Sequence, residues 1–206
     1  MSNVEEILSL SGIQLIAGVD EAGRGPCAGP LVIAAVILKD RNSRELACVK
    51  DSKALSSKVR EELFDVIHHE ALAYSIIEIS SQEIDELGLH KSNLAGMRRA
   101  VESLNVSPEY VLTDGYAIEG LTIPNVGIWK GDQVAISISA ASIIAKVYRD
   151  RAMVDYDAQY PGYGFAQHKG YITAAHTLAL KNMGPCVIHR RSFANIAVLE
   201  TYDSTS

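Results

Sequence analysis

The sequence predicts an α/β fold in which a mixed sheet is flanked by helices, and three observations carry that expectation. Apolar segments of strand length alternate along the chain with segments of helical periodicity. The first two strands, 15–20 and 31–38, are joined by a turn rich in Gly and Pro with no helix between them, so they read as a hairpin-like pair and the sheet is mixed. Carboxylates recur at the ends of predicted strands, each flanked by glycine.

The elements follow in order. Residues 1–13 form a short helix or a loose arm. The run Ile16-Ala17-Gly18-Val19 leads into Asp20-Glu21 and then into Ala22-Gly23-Arg24-Gly25-Pro26. Adjacent strand residues face opposite sides, so both acids reach one site only if the strand ends or kinks there, which Gly23 and Gly25 permit. A charged hairpin tip has the same composition, so this stretch alone leaves both readings open. A helical stretch runs from Asp51 to about Glu70, and 72–79 is a third strand. Ser80-Ser81-Gln82-Glu83 has the capping-box pattern of a helix that ends near Gly88. In the next helix, 91–104, Leu94, Met97, Val101 and Leu104 make one apolar face. Strands at 110–113 and 126–129 end at Asp114-Gly115 and Lys130-Gly131-Asp132. A long helix occupies 135–156, where Ser139, Ser142, Lys146 and Arg149 share a face that is either a solvent stripe or a phosphate-facing surface. A last helix spans 173–182, and residues from Glu200 onward fray.

Composition bounds the function. The chain has 206 residues, 48% hydrophobic and 21% charged, which fits one globular domain, or one with a small appendage. No apolar run approaches the roughly 18 residues of a membrane span, and the N-terminus lacks the basic start of a signal peptide. Cys27, Cys48 and Cys186 are scattered, which suggests reduced thiols, without a disulfide frame or zinc spacing, and a cytoplasmic location. The net charge of −6 argues against a nucleic-acid partner, but its distribution argues the other way. Between Tyr160 and Asn195 there is no acid, only Lys169, Lys181, Arg190, Arg191 and three histidines, a stretch able to track phosphates or to lie on a solvated surface.

The acids carry the chemistry. Asp20 with Glu21, Asp114 and Asp132 come from three segments, and carboxylates gathered at strand ends repel one another unless a cation is present. Hard oxygen donors suit Mg²⁺ or Mn²⁺, and two such ions can clamp an in-line phosphoryl displacement. The sequence has no Walker A loop, nucleophile elbow or zinc-protease motif.

Taken together, the motifs resemble bacterial ribonuclease HII, of the type 2 ribonuclease H family, over 16–193. They are Val19-Asp20-Glu21-Ala22-Gly23-Arg24-Gly25-Pro26, Asp51-Ser52-Lys53, Thr113-Asp114-Gly115, Lys130-Gly131-Asp132, the helix segment Ala140 to Lys146, Arg149-Asp150, His168-Lys169-Gly170-Tyr171 and His189-Arg190-Arg191-Ser192-Phe193. The resemblance implies a ribonuclease H-like fold with a mixed five-stranded sheet, a catalytic core over 1–160 and a helical C-terminal extension, 161–206, packed on it as one structural unit. It implies that Asp20, Glu21, Asp114 and Asp132 bind Mn²⁺ or Mg²⁺ and form the catalytic set. Asp150 is set aside because it lies late in a helix.

By the same resemblance, Gly23, Arg24 and Gly25 with Tyr171 read the ribonucleotide at an RNA-to-DNA junction, while Lys53, Ser142 and Lys146 hold phosphates. Read without the family, Tyr171 is a core aromatic at a helix start, and Arg149 with Asp150 is a helix-surface pair. The implied activity is hydrolysis of the RNA strand of RNA–DNA hybrids and incision of DNA 5′ to embedded ribonucleotides, by a monomer, in ribonucleotide excision and primer removal. A DNA-only nuclease of the same fold and a non-catalytic hybrid-binding module are the alternatives. The Gly-Arg-Gly turn and the short stretch before it favour the HII over the HIII branch. Two departures from the family's usual pattern are Thr113, before the third acid, and Asn195, where a proline is common.

Overall fold

Five strands form one sheet: β1 (Ile16–Ala22), β2 (Leu31–Leu38), β3 (Ala71–Ile79), β4 (Tyr110–Asp114) and β5 (Asn125–Ile128), in the order β3-β2-β1-β4-β5. The structure is a computed structural model and describes residues 4–49 and 55–203. β1 pairs antiparallel with β2 and parallel with β4, and β4 pairs parallel with β5, so the sheet is mixed as expected. All eight residues of β2 are buried, which suits a continuous apolar run covered on both faces.

The helices are α1 (Val4–Leu10), α2 (Ser57–Glu70), α3 (Ser81–Leu87), α4 (Leu89–Glu102), α5 (Ile136–Gln159), α6 (Phe165–His168), α7 (Ala174–Met183) and α8 (Ala194–Asp203). Their starts follow from side-chain caps. The hydroxyls of Ser56, Ser80 and Thr173 accept from the amides of Val59, Glu83 and His176, which gives α2, α3 and α7 their first turns. Helix α2 begins later than expected: Leu55 and Ser56 are not helical, and the expected start at Asp51 lies outside the described residues, as does Lys53. Helix α5 starts on a cap from far away in sequence. The buried Glu5 carboxylate accepts from the amides of Ile136 (2.7 Å) and Ser137 (3.2 Å).

Contacts divide the chain into two compact units, one of residues 1–22, 32–77 and 93–147, the other of 23–31, 78–92 and 148–206. In the first, Val32, Ala34, Val36 and Leu38 of β2 pack with Leu63 and Ile67 of α2 and with Ala140, Ile143, Ile144 and Val147 of α5. A smaller cluster there joins Ile16 and Leu112 to Ala135 and Ile138, with Val4 and Leu8 of α1 against it, so α1 is a docked helix. In the second, Cys27, Met153, Phe165, Leu180, Ile188 and Ile196 form the core. No helix among the described residues is long and apolar enough to cross a membrane.

Candidate active site

The acids of β1 sit inside a regular ladder. Asp20 pairs with Ala34, Glu21 with Ile33 and Ala22 with Val32, so the strand runs without a kink through the acids and ends at Ala22, just beyond them. The chain turns at Gly23, whose φ of +99° is a conformation that side chains strain to adopt. Asp20 is buried, and its Oδ1 accepts the Glu21 amide at 2.8 Å. The Ser142 hydroxyl of α5 donates to the same carboxylate.

Asp114 closes β4, where its Oδ1 accepts the Gly131 amide at 2.8 Å. That bond ties the end of β4 to the short 3₁₀ turn Gly131–Gln133, which carries the buried Asp132. Lys130 enters the turn in the left-handed region, φ 54°, and the Ser139 hydroxyl donates to the Asp132 carbonyl. Thr113, a departure from the family's usual pattern, is buried, and its hydroxyl donates to the Tyr116 carbonyl at 2.5 Å, which fixes the turn after Asp114. Trp129, just past β5, is the sequence's single tryptophan and is 81% exposed.

These placements make the carboxylates feel one another. Burial first, then the charges of Glu21 and Asp114, push the Asp20 carboxyl well above the usual carboxylate range, against the pull of Ser142 and the Glu21 amide. Among the described residues, no three His, Cys, Asp or Glu side chains already stand as a cluster fit to hold an ion. The donors nevertheless fit a hard divalent cation in kind and in charge: all are carboxylate oxygens, and the repulsion on Asp20 is what a bound cation relieves. Lys146, one turn beyond Ser142 on α5, is half-buried.

The Gly-Arg-Gly segment and Tyr171 lie in the second unit. Tyr171 is 48% exposed, so it is not a core aromatic. Its ring lies beside Gly25, where an added Cβ would sit 3.5 Å from the ring Cε1. Beneath them lie two buried guanidiniums that the sequence did not announce. Arg190 donates to the carbonyls of Gly23 (2.7 Å), Arg24 (3.2 Å) and Gly29 (2.9 Å). Arg149 donates to those of Pro30 (2.9 Å), Ala28 (3.1 Å) and Lys169 (3.0 Å). Burial lowers Arg149 to about 10 and Arg190 to about 9, the latter helped by repulsion from Arg149.

Two expectations are therefore corrected. Ser139 and Arg149 are buried and do not share an exposed face with Ser142 and Lys146, so Arg149 is not half of a helix-surface pair. The basic stretch is a surface only in part: Arg190, His176 and His189 are buried, whereas Lys181 and Arg191 are exposed. Asn195 hydrogen-bonds Cys27 and lies in α8.

The sheet order, with acids at the ends of β1 and β4, belongs to the ribonuclease H class of nucleases. The crystal structure of the ribonuclease H2 from Pyrococcus horikoshii OT3 superposes with a TM-score of 0.79 at 28% identity, over 93% of this chain and 99% of that one. The chain is also 53% identical to ribonuclease HII of Mycobacterium ulcerans over 98% of its length and 84% of the relative's, and 53% identical to that of Cutibacterium acnes over 93% and 94%. The family model for Ribonuclease HII matches residues 17–196, and the chain belongs to that family. It is a ribonuclease H enzyme, hence a nuclease and a hydrolase.

Proposed function

We propose that the protein hydrolyses the RNA strand of RNA–DNA hybrids and incises DNA 5′ to embedded ribonucleotides, leaving 5′-phosphate and 3′-hydroxyl ends. The observation that carries this reading is geometric: Asp20 and Asp114 stand on adjacent parallel strands, β1 and β4, each one residue beyond the paired Val19 and Thr113. Asp20, Glu21, Asp114 and Asp132 would hold two Mn²⁺ or Mg²⁺ ions, which when bound supply an activated water and charge stabilisation for the leaving 3′-oxygen.

The chain's own groups orient and recognise. Ser142 and the Glu21 amide fix the Asp20 carboxylate, and the Gly131 amide fixes that of Asp114. Lys53 and Lys146 take the phosphates, and Ser142, expected to join them, can do so only by giving up the single proton it now donates to Asp20. Gly23, Arg24 and Gly25 offer main-chain groups to the 2′-hydroxyl, the one group that tells RNA from DNA at a given site, and Tyr171 packs its ring on the sugar. A monomer acting in the cytoplasm would serve ribonucleotide excision and primer removal.

The test is a labelled DNA duplex with one ribonucleotide, incubated with Mg²⁺, Mn²⁺ or chelator beside all-DNA and long-hybrid controls. One metal-dependent nick 5′ to the ribonucleotide is expected. Cutting of long hybrid alone removes the junction-reading role, cutting of all-DNA duplex favours a DNA nuclease, and no cutting by folded protein favours a binding module.

A further inference from the structure

Around Tyr171 two buried histidines, His176 and His189, form a hydrogen-bond chain with a direction, and a half-buried third, His168, stacks against it. The Cys186 amide donates to His189 Nδ1 at 2.9 Å, a shorter contact than the 3.2 Å from that nitrogen to the Cys186 carbonyl; with the amide as donor, Nδ1 carries a lone pair and the proton of a neutral ring sits on Nε2. His189 Nε2 lies 3.0 Å from His176 Nε2, a separation that requires one donor and one acceptor. His176 Nδ1 lies 2.9 Å from the Tyr171 carbonyl, which can only accept, so His176 carries its proton on Nδ1 and its Nε2 accepts from His189. Each bond thus fixes the tautomer that the next one needs.

His168 follows the same logic. Its Nδ1 accepts the Gly170 amide at 3.2 Å, which leaves Nε2 to donate to the Tyr163 carbonyl at 2.7 Å. Its ring stacks on His176 with centroids 4.3 Å apart. Main-chain bonds hold the Gly170-Tyr171 segment as well: Cys27 N–H to the Gly170 carbonyl, 3.0 Å, and Tyr171 N–H to the His168 carbonyl, 2.8 Å. An exposed ring at the start of α7 is thereby held by its main chain from two sides.

We propose that His176 and His189 are positioning residues for ribonucleotide recognition, a neutral one-way relay from the Cys186 amide to the Tyr171 carbonyl that sets where the Tyr171 ring lies beside Gly25. The inference rests on the reading of Tyr171 as a substrate contact. The surroundings keep the relay neutral. Burial lowers His176, and it lowers His189 to about 4 with help from His176 and from the Arg191 charge. Tyr163, Phe165, His168 and the Cys27 and Cys186 thiols complete the enclosure, with Arg190 and Arg149 among the buried neighbours of the same segment. A second proton on His176 would set two N–H groups against each other, and one on His189 would displace the Cys186 amide.

The test uses the full chain and the single-ribonucleotide duplex, with His176→Asn, whose amide can replace the Nδ1 donor, and His176→Leu, which removes it. In His176→Leu we expect KM to rise about tenfold with kcat within about twofold, and in His176→Asn we expect KM to return to within about threefold of the parent. Equal losses in both variants, or an unchanged KM in folded His176→Leu, overturn the proposal. Long-range ¹H–¹⁵N spectra of the parent protein at neutral pH read the relay itself, whether or not the leucine variant folds. Protons on Nδ1 of His176 and Nε2 of His189 are expected, and the opposite tautomer or an imidazolium at either position overturns it. If the parent protein ignores the ribonucleotide, the assigned function fails while the spectra still decide the relay.

Discussion

Asp20 is the residue at which the site and the fold compete. Its burial beside Glu21 and Asp114 disfavours the ionised form, and that form is the one that binds a cation. Asp20→Asn removes the charge and keeps the shape. Cleavage should be lost, while the melting temperature in chelator should rise by about 2 to 4 °C, the shift that about 1 kcal/mol produces in a domain of this size. Adding Mn²⁺ should then raise the melting temperature of the parent protein and not that of the variant, which scanning calorimetry would show.

Arg190 makes the opposite case. Its guanidinium satisfies three main-chain carbonyls and lies over the Phe193 ring at 5.2 Å. Arg190→Met leaves those carbonyls buried without their donor and should cost about 3 kcal/mol in urea unfolding, whereas exposed Arg191→Met should cost under about 0.5 kcal/mol.

At the scale of elements, β1 and the start of α5 approach so closely that only glycine fits. A Cβ on Gly18 would overlap the Ser137 main chain. Gly18→Ala should therefore cost at least about 2 kcal/mol, because backbone has to move, and chemical denaturation would measure it. Much at this scale was legible beforehand. β2 was expected with the bounds it has, since eight consecutive apolar residues bracketed by Pro30 and Lys39 admit little else. The capping box at Ser80 marked the helix start that α3 keeps, and the helix expected from Thr173 is α7, which that residue caps.

What escaped did so for physical reasons. α6 has only four residues, and α8 mixes apolar and polar positions without a clear stripe, so neither shows a period. Arg149 and Arg190 read as surface charges because their partners are carbonyls, which every residue has and no sequence pattern marks. The acids of the candidate site were legible as types at strand ends. The roles of Ser142 and the Gly131 amide in orienting them were not, since they depend on a bond between elements far apart in the chain.

For the molecule as a whole, the buried histidines set the acid limit. His176 and His189 titrate lower in the folded chain than the 6.5 or so of an unfolded one, so below that pH the unfolded state binds protons that the folded state refuses. Their contribution is fully present above about pH 6.5 and is lost as pH falls toward 4, with roughly 2 to 3 kcal/mol at stake for His189. Asp20, raised in the fold, works in the reverse direction. The comparison that isolates the histidine is therefore His189→Gln against the parent: melting temperatures recorded between pH 7 and 4 should converge as the pH falls.

The lone indole at the end of β5 decides how such unfolding can be watched. Because Trp129 is already 81% in solvent, its emission starts close to that of a free chromophore and changes little when the chain opens. Intrinsic fluorescence is thus a weak reporter of whether this protein is folded, and far-ultraviolet dichroism, which follows the helices, is the stronger one.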